Sequence, residues 1–118
     1  RPNIGAVMNA ICSCGNWETK KVSYADAIKE IECNGSININ RNTSANFNLK
    51  YNCSSTDCST KYEAIVSTPA GQTTTIQIAN NQNWSYVFNQ IGNYTVTFKT
   101  YCNEELCQNS CIYNILVK

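Results

Sequence analysis

Apolar and polar residues alternate along most of this chain in short runs. Phe47, Leu49 and Tyr51 alternate with Asn48, Lys50 and Asn52. Tyr62, Ala64 and Val66 follow the same rule, then Thr74, Ile76 and Ile78, then Trp84, Tyr86 and Phe88. Tyr94, Val96, Phe98 and Thr100 alternate strictly with Thr95, Thr97 and Lys99. Cys111, Tyr113, Ile115 and Val117 alternate with Ile112, Asn114 and Leu116. A period of two puts one set of side chains on one face of a pleated strand, so each run predicts a half-buried strand. The last strand is largely apolar on both faces, and its cysteine-bearing set is expected to point inward. Ile37 and Ile39 mark a shorter strand over 36–40. Residues 20–24 and 28–33 are further short candidates, with one helical turn at Ala25-Asp26-Ala27 as the alternative between them.

Turn residues separate these runs. They include Arg41-Asn42-Thr43-Ser44, Thr68-Pro69-Ala70-Gly71, Asn80-Asn81-Gln82-Asn83 and Gly92-Asn93. Short strands at this spacing predict an all-β fold, an antiparallel β-sandwich of the immunoglobulin-like class with about seven strands. No long amphipathic helical pattern interrupts them, which argues against a parallel α/β sheet. The sandwich is expected over 17–118, with 1–16 as an N-terminal arm or a first strand. Within that arm Ile4, Val7, Met8 and Ile11 make an apolar, uncharged stretch.

Composition narrows the partners. The chain has 118 residues, one domain's length. Its net charge is +1 and only 14% of its residues are charged. Phosphate binding needs clustered Lys and Arg, so nucleic acid is not an expected partner. No apolar run is long enough to span a membrane.

The cysteines are Cys12, Cys14, Cys33, Cys53, Cys58, Cys102, Cys107 and Cys111. An even, high count in a short chain reads as a disulfide framework, and hence a secreted or cell-surface protein. The competing reading is zinc, which favours C-x₂-C knuckles and often histidine. This chain has no histidine and no such knuckle. No metal and no cofactor are expected.

The segment 88–98, FNQIGNYTVTF, resembles the signature of polycystic-kidney-disease-type repeats and related immunoglobulin-like modules: an aromatic, a short turn with Gly, then Y-x-V-x. Residue by residue, Gly92 supplies a turn conformation that other residues resist. Tyr94 sits where a tyrosine corner returns its hydroxyl to the backbone, and Val96 and Phe98 fill the core. The chain departs from that family in lacking W-D-F-G-D-G, where it has YEAIVS over 62–67. The C-x-C-G-x-W start over 12–17 is similar to cysteine-bearing repeats of Bacteroidetes surface proteins.

Laid on such a sandwich, Cys53, Cys58, Cys102, Cys107 and Cys111 fall at one pole, with Cys12 and Cys14 near. The expected staples are Cys53–Cys58, a bridge within Cys102, Cys107 and Cys111, and a tie on the N-terminal segment through Cys12 or Cys14. Cys33 stays unassigned.

Candidate chemistry is sparse. Without histidine, Ser-His-Asp and Cys-His catalysis have no base. Glu30 and Glu32 could share a strand face, a position more often solvated than catalytic. Asp57, Glu104 and Glu105 lie in two loops of the same pole without a calcium-loop motif. Trp84 and Tyr86 alternate with Phe88 and are assigned to the core, leaving Trp17 as the candidate ligand contact. Asn34, Asn42, Asn52, Asn83 and Asn93 stand in Asn-x-Ser/Thr sequences. The expected function is a non-catalytic structural or adhesive module: a repeat of a large surface protein, or a filament subunit assembling through Ile4, Val7, Met8 and Ile11. Its partners are then protein, as neighbouring modules or further copies. The alternative is a carbohydrate-binding accessory domain of a secreted hydrolase, with Trp17 on the sugar.

Overall fold

A computed structural model describes residues 12–25, 27–54, 58–78 and 83–118. Ten strands form among them: β1 Asn16–Tyr24, β2 Ala27–Glu30, β3 Ser36–Ile39, β4 Thr43–Asn52, β5 Thr60–Ser67, β6 Thr73–Ile78, β7 Asn83–Phe88, β8 Gly92–Cys102, β9 Glu105–Leu106 and β10 Cys111–Val117. One sheet runs β2-β1-β4-β7, and the other runs β3-β10-β8-β5-β6 with β9 added to β8.

The alternation read from the sequence decides which faces meet. Phe47 in the first sheet lies 5.4 Å, centroid to centroid, from Phe98 and 5.9 Å from Tyr113 in the second. Phe88 meets Tyr94 edge-on at 4.9 Å. Val22, Ala45 and Leu49 from one sheet and Ile37, Ile39, Ala64, Val66, Val96, Ile115 and Val117 from the other complete the core. Burying a large apolar side chain contributes roughly 1.5–3 kcal/mol. Trp84 and Tyr86 are half-buried against this core, as their alternation with Phe88 requires. Cys111, Tyr113, Ile115 and Val117 form the inward set of β10.

Three features differ from expectation. Ten strands form among the described residues rather than about seven, because the chain also forms short edge pieces. β9 is a two-residue strand made possible by Asn103 and Glu104, both in the left-handed region at φ 54° and 71°. That conformation matches the twist of a tight hairpin. The second sheet is mixed, because β3 runs parallel to β10, with Ile37 opposite Ile115. Alternation assigns faces to a strand but carries nothing about its neighbour's direction. The strand expected over 28–33 ends at Glu30. Tyr24 pairs with Ala27 across a hairpin, with Ala25 at φ 52°, in place of the helical turn weighed above.

The turn before β8 matches its reading. Gly92 has φ 130°, and a Cβ there would sit 2.8 Å from Pro69 Cβ. The Tyr94 hydroxyl accepts the Gln90 N–H at 3.0 Å and donates to Asn89 Oδ1 at 3.3 Å. Tyr94→Phe strips Gln90 of its acceptor. The expected loss is about 1–2 kcal/mol in urea unfolding at an unchanged m-value. A variant as stable as the parent would show that the corner contributes nothing.

Candidate functional site: the disulfide pole

The ends of β4 and β8 and the start of β5 reach one pole, where Thr60 pairs with Cys102 and Asn52 with Asn16. A second, smaller core forms there from Tyr51, Tyr62, Cys102 and Cys107, with Cys12, Trp17, Cys53 and Ile78 packed against it. The Tyr62 hydroxyl donates to the Tyr51 carbonyl at 2.6 Å and accepts the Tyr51 N–H at 3.1 Å. One phenol from the second sheet thus serves both backbone groups of a strand in the first. Burial pushes the Tyr62 phenol up to about 12. Burial also raises Tyr113, whose hydroxyl donates to the Ile31 carbonyl at 2.7 Å.

Trp17 lies half-buried in this wall. Its ring stands edge-on to Tyr51 at 4.9 Å and to Tyr62 at 6.0 Å. Its indole N–H donates to the Asn109 carbonyl at 2.7 Å. Asn109 Nδ2 in turn donates to the Gly15 carbonyl at 2.8 Å, and Asn109 Oδ1 lies 2.7 Å from the Tyr51 hydroxyl. Asn109 therefore ties the β9–β10 loop to the segment entering β1. Nothing in the sequence pattern singled it out, because its role depends on where a loop crosses the pole.

All eight cysteines are paired: Cys12–Cys58, Cys14–Cys107, Cys33–Cys111 and Cys53–Cys102. The expected tie on the N-terminal segment is present through both Cys12 and Cys14. The expected Cys53–Cys58 bridge is not formed. Cys102, Cys107 and Cys111 do not pair among themselves. Strand parity explains the correction. Cys53 continues the inward set Phe47, Leu49 and Tyr51, and Cys102 continues Val96, Phe98 and Thr100. Inward residues of opposite sheets face one another, whereas Cys53 and Cys58 are close only in sequence. Cys33 meets Cys111 because Asn34 donates to the Ile112 carbonyl at 2.7 Å, which lays that segment along β10. The same parity rule was available from the sequence for Cys53 and Cys102. It was not available for Cys33, which lies outside any strand.

These pairings close loops of 46 to 93 residues. In the chain-entropy account such a bridge contributes about 4–5 kcal/mol when considered alone, more than a short C-x₄-C staple. The Sγ atoms of Cys14, Cys102 and Cys107 lie within 4.8 Å of one another. Each is bonded in a disulfide and offers no thiolate to a metal.

The other candidates are dispersed. Ile4, Val7, Met8, Ile11 and Asp57 lie outside the described residues. Glu32 sits 2.8 Å from Lys20 Nζ, while Glu30 is exposed at the end of β2. Glu104 and Glu105 are exposed on the β8–β9 hairpin. Asn34 and Asn42 are exposed at left-handed turns, and Asn93 is exposed at the start of β8. Asn52 donates to Glu18, and Asn83 accepts from Asn48 at 2.9 Å. No helix among the described residues is long and apolar enough to cross a membrane.

Against known proteins, the chain matches no protein-family model, and no curated protein matches it in sequence. It is an all-β domain of two facing sheets, joined by four disulfides.

Raised tyrosine pKa values make stability depend on alkaline pH. The unfolded phenol ionises near its ordinary value of about 10, before the buried one does, so the unfolded state sheds its proton first. Stability is full below pH 10 and falls as pH rises through the folded value of about 12 for Tyr62. The urea midpoint should therefore drop over that interval, and less steeply for Tyr62→Phe. A parent midpoint flat to pH 12 would contradict this.

Proposed function

We propose that this chain is a non-catalytic extracellular module of the immunoglobulin-like class, with a structural and adhesive role in which the N-terminal segment makes the assembly contact. Three features support the class. β1, β4 and β7 share one sheet and β5, β8 and β10 the other, a division compatible with that class; a tyrosine opens β8 with its hydroxyl returned to the preceding turn; and Cys53–Cys102 joins the ends of β4 and β8, as an inter-sheet bridge does in such domains. The four disulfides fit an oxidising, extracellular compartment.

The observation that carries the assembly reading is the anchorage of the segment before β1. Cys12 and Cys14 fix it to the start of β5 and to the loop after β9, at the pole and on the second sheet. Tension applied through residues 1–11 would reach both sheets through covalent bonds rather than by peeling β1 from β4. In a filament of copies joined end to end, such a path would carry load between neighbours.

The sheet edges supply an acceptor of matching chemistry. β6 and β7 end their respective sheets, and neither carries a charged residue or a proline. Soluble proteins usually protect such edges with charge or proline, because an open edge pairs with another chain. An uncharged extended segment from a neighbouring copy can add there as a strand, its backbone groups satisfying those of the edge. A contact of this kind is head-to-tail, and it propagates.

Deleting residues 1–11 leaves every cysteine in place. The full chain should form concentration-dependent polymer by light scattering and electron microscopy, and the truncated chain should stay monomeric with an unchanged disulfide map. Unchanged polymer after truncation would reject the arm. A full chain that stays monomeric at every concentration would reject self-assembly.

A further inference from the structure

We infer that Cys14, Cys53, Cys102 and Cys107 form a thiol–disulfide exchange site, at which a small external thiol converts two inter-sheet bridges into two intra-sheet bridges. The chemistry needs these four sulfurs and the external thiol, which is returned at the end, and does not rest on the assembly reading.

Two observations carry it. The Sγ atoms of Cys107 and Cys102 belong to different bridges yet lie 3.6 Å apart. They are held there by backbone pairing: Cys102 lies opposite Glu105, and Cys107 N–H donates to the Thr100 carbonyl at 2.9 Å. The second observation is an asymmetry of access. Cys102 and Cys107 are 1% and 2% exposed, whereas Cys14, the partner of Cys107, is exposed. An incoming thiolate therefore meets the Cys14–Cys107 bridge at its Cys14 sulfur.

The sequence of bonds follows from exchange chemistry, in which a thiolate attacks one sulfur of a disulfide and expels the other. The external thiolate forms a mixed disulfide with Cys14, and the electron pair of the broken bond leaves on Cys107. The Cys107 thiolate is buried beside Cys102. It attacks that sulfur, forms Cys102–Cys107 and expels the Cys53 thiolate. Cys53 in turn lies beside the segment carrying Cys14. Ser54 N–H donates to the Ser13 carbonyl at 2.9 Å, and Ser13 N–H donates to Ser54 Oγ at 2.8 Å. Attack of the Cys53 thiolate on the mixed disulfide closes Cys14–Cys53 and returns the external thiol. Nothing is oxidised or reduced overall.

The two pairings differ in what they hold. In the structure, Cys53–Cys102 and Cys14–Cys107 each join the β1–β4 side of the pole to the β8–β9 side. After exchange, Cys14–Cys53 lies within the first side and Cys102–Cys107 within the second. Cys12–Cys58 then remains as the covalent link across this pole. The exchange thus loosens one end of the sandwich, and the anchorage of the N-terminal segment, without leaving a free thiol.

The test uses the intact chain. It is exposed briefly to reduced glutathione under exclusion of oxygen, quenched with N-ethylmaleimide, and its peptides are mapped without reduction. The expected intermediate carries glutathione on Cys14, maleimide on Cys53 and a Cys102–Cys107 bridge, with Cys12–Cys58 and Cys33–Cys111 unchanged. Maleimide on Cys107 beside an intact Cys53–Cys102 would overturn the relay, as would a four-bridge map unchanged at every glutathione concentration. In the double variant Cys14→Ser with Cys107→Ser, Cys53–Cys102 loses its internal attacker. Its reduction by glutathione should slow at least about tenfold, the intramolecular step having supplied a high effective thiol concentration. An unchanged rate would equally overturn the relay.

Discussion

The contact between the two inward faces is the constraint on which the rest of this structure depends. Phe47 stands at its centre, touching Trp84 in its own sheet and Phe98 and Tyr113 in the other. A sheet with one apolar face is stable in water only when that face is covered. With charged residues so scarce, the outward sets are built on Asn, Ser and Thr, such as Asn46, Asn48, Thr95 and Thr97. Strict alternation on the long strands β4, β5 and β8 supplies both faces at once. A slip of one residue would exchange the two sets, which fixes the register.

At the pole that interface ends, and other interactions take over. The aliphatic core gives way to Tyr51, Tyr62 and Trp17, each with a polar end that finds a partner. Three bridges then join the strand ends and loops that meet there. A pole built this way resists separation of the sheets by covalent bonds as well as by packing. The same crowding brings sulfurs of different bridges within reach of one another, so the reinforcement and the exchange chemistry share one origin.

The β3–β10 edge is built differently. Cys33–Cys111 ties the stretch between β2 and β3 to the start of β10, and Tyr113 reinforces it through the Ile31 carbonyl. This holds the chain as it passes from the first sheet to the second, where β3 lies parallel to β10. The β6 and β7 edges carry no comparable protection, and it is there that the proposed strand addition would act.

Much of this was legible in the residues alone. Alternation located β4 to β8 and β10 and sorted Phe47, Tyr62, Phe98 and Tyr113 inward, because the pleat fixes side-chain direction with a period of two; β1, nine residues long, was read only over 20–24. Gly92 and Tyr94 announced their turn through local backbone chemistry. The cysteine count announced disulfides but not their partners, since pairing depends on which strand ends converge. Parity pointed Cys53 and Cys102 toward each other, yet only the stacking of the sheets brought them together in preference to the neighbouring Cys58. The parallel course of β3, the place of Cys33 beside β10, the clasp made by Asn109 and the 3.6 Å between Cys102 and Cys107 were decided by tertiary structure alone. Each is a meeting of segments far apart in the chain, and a local pattern carries no record of what it will meet.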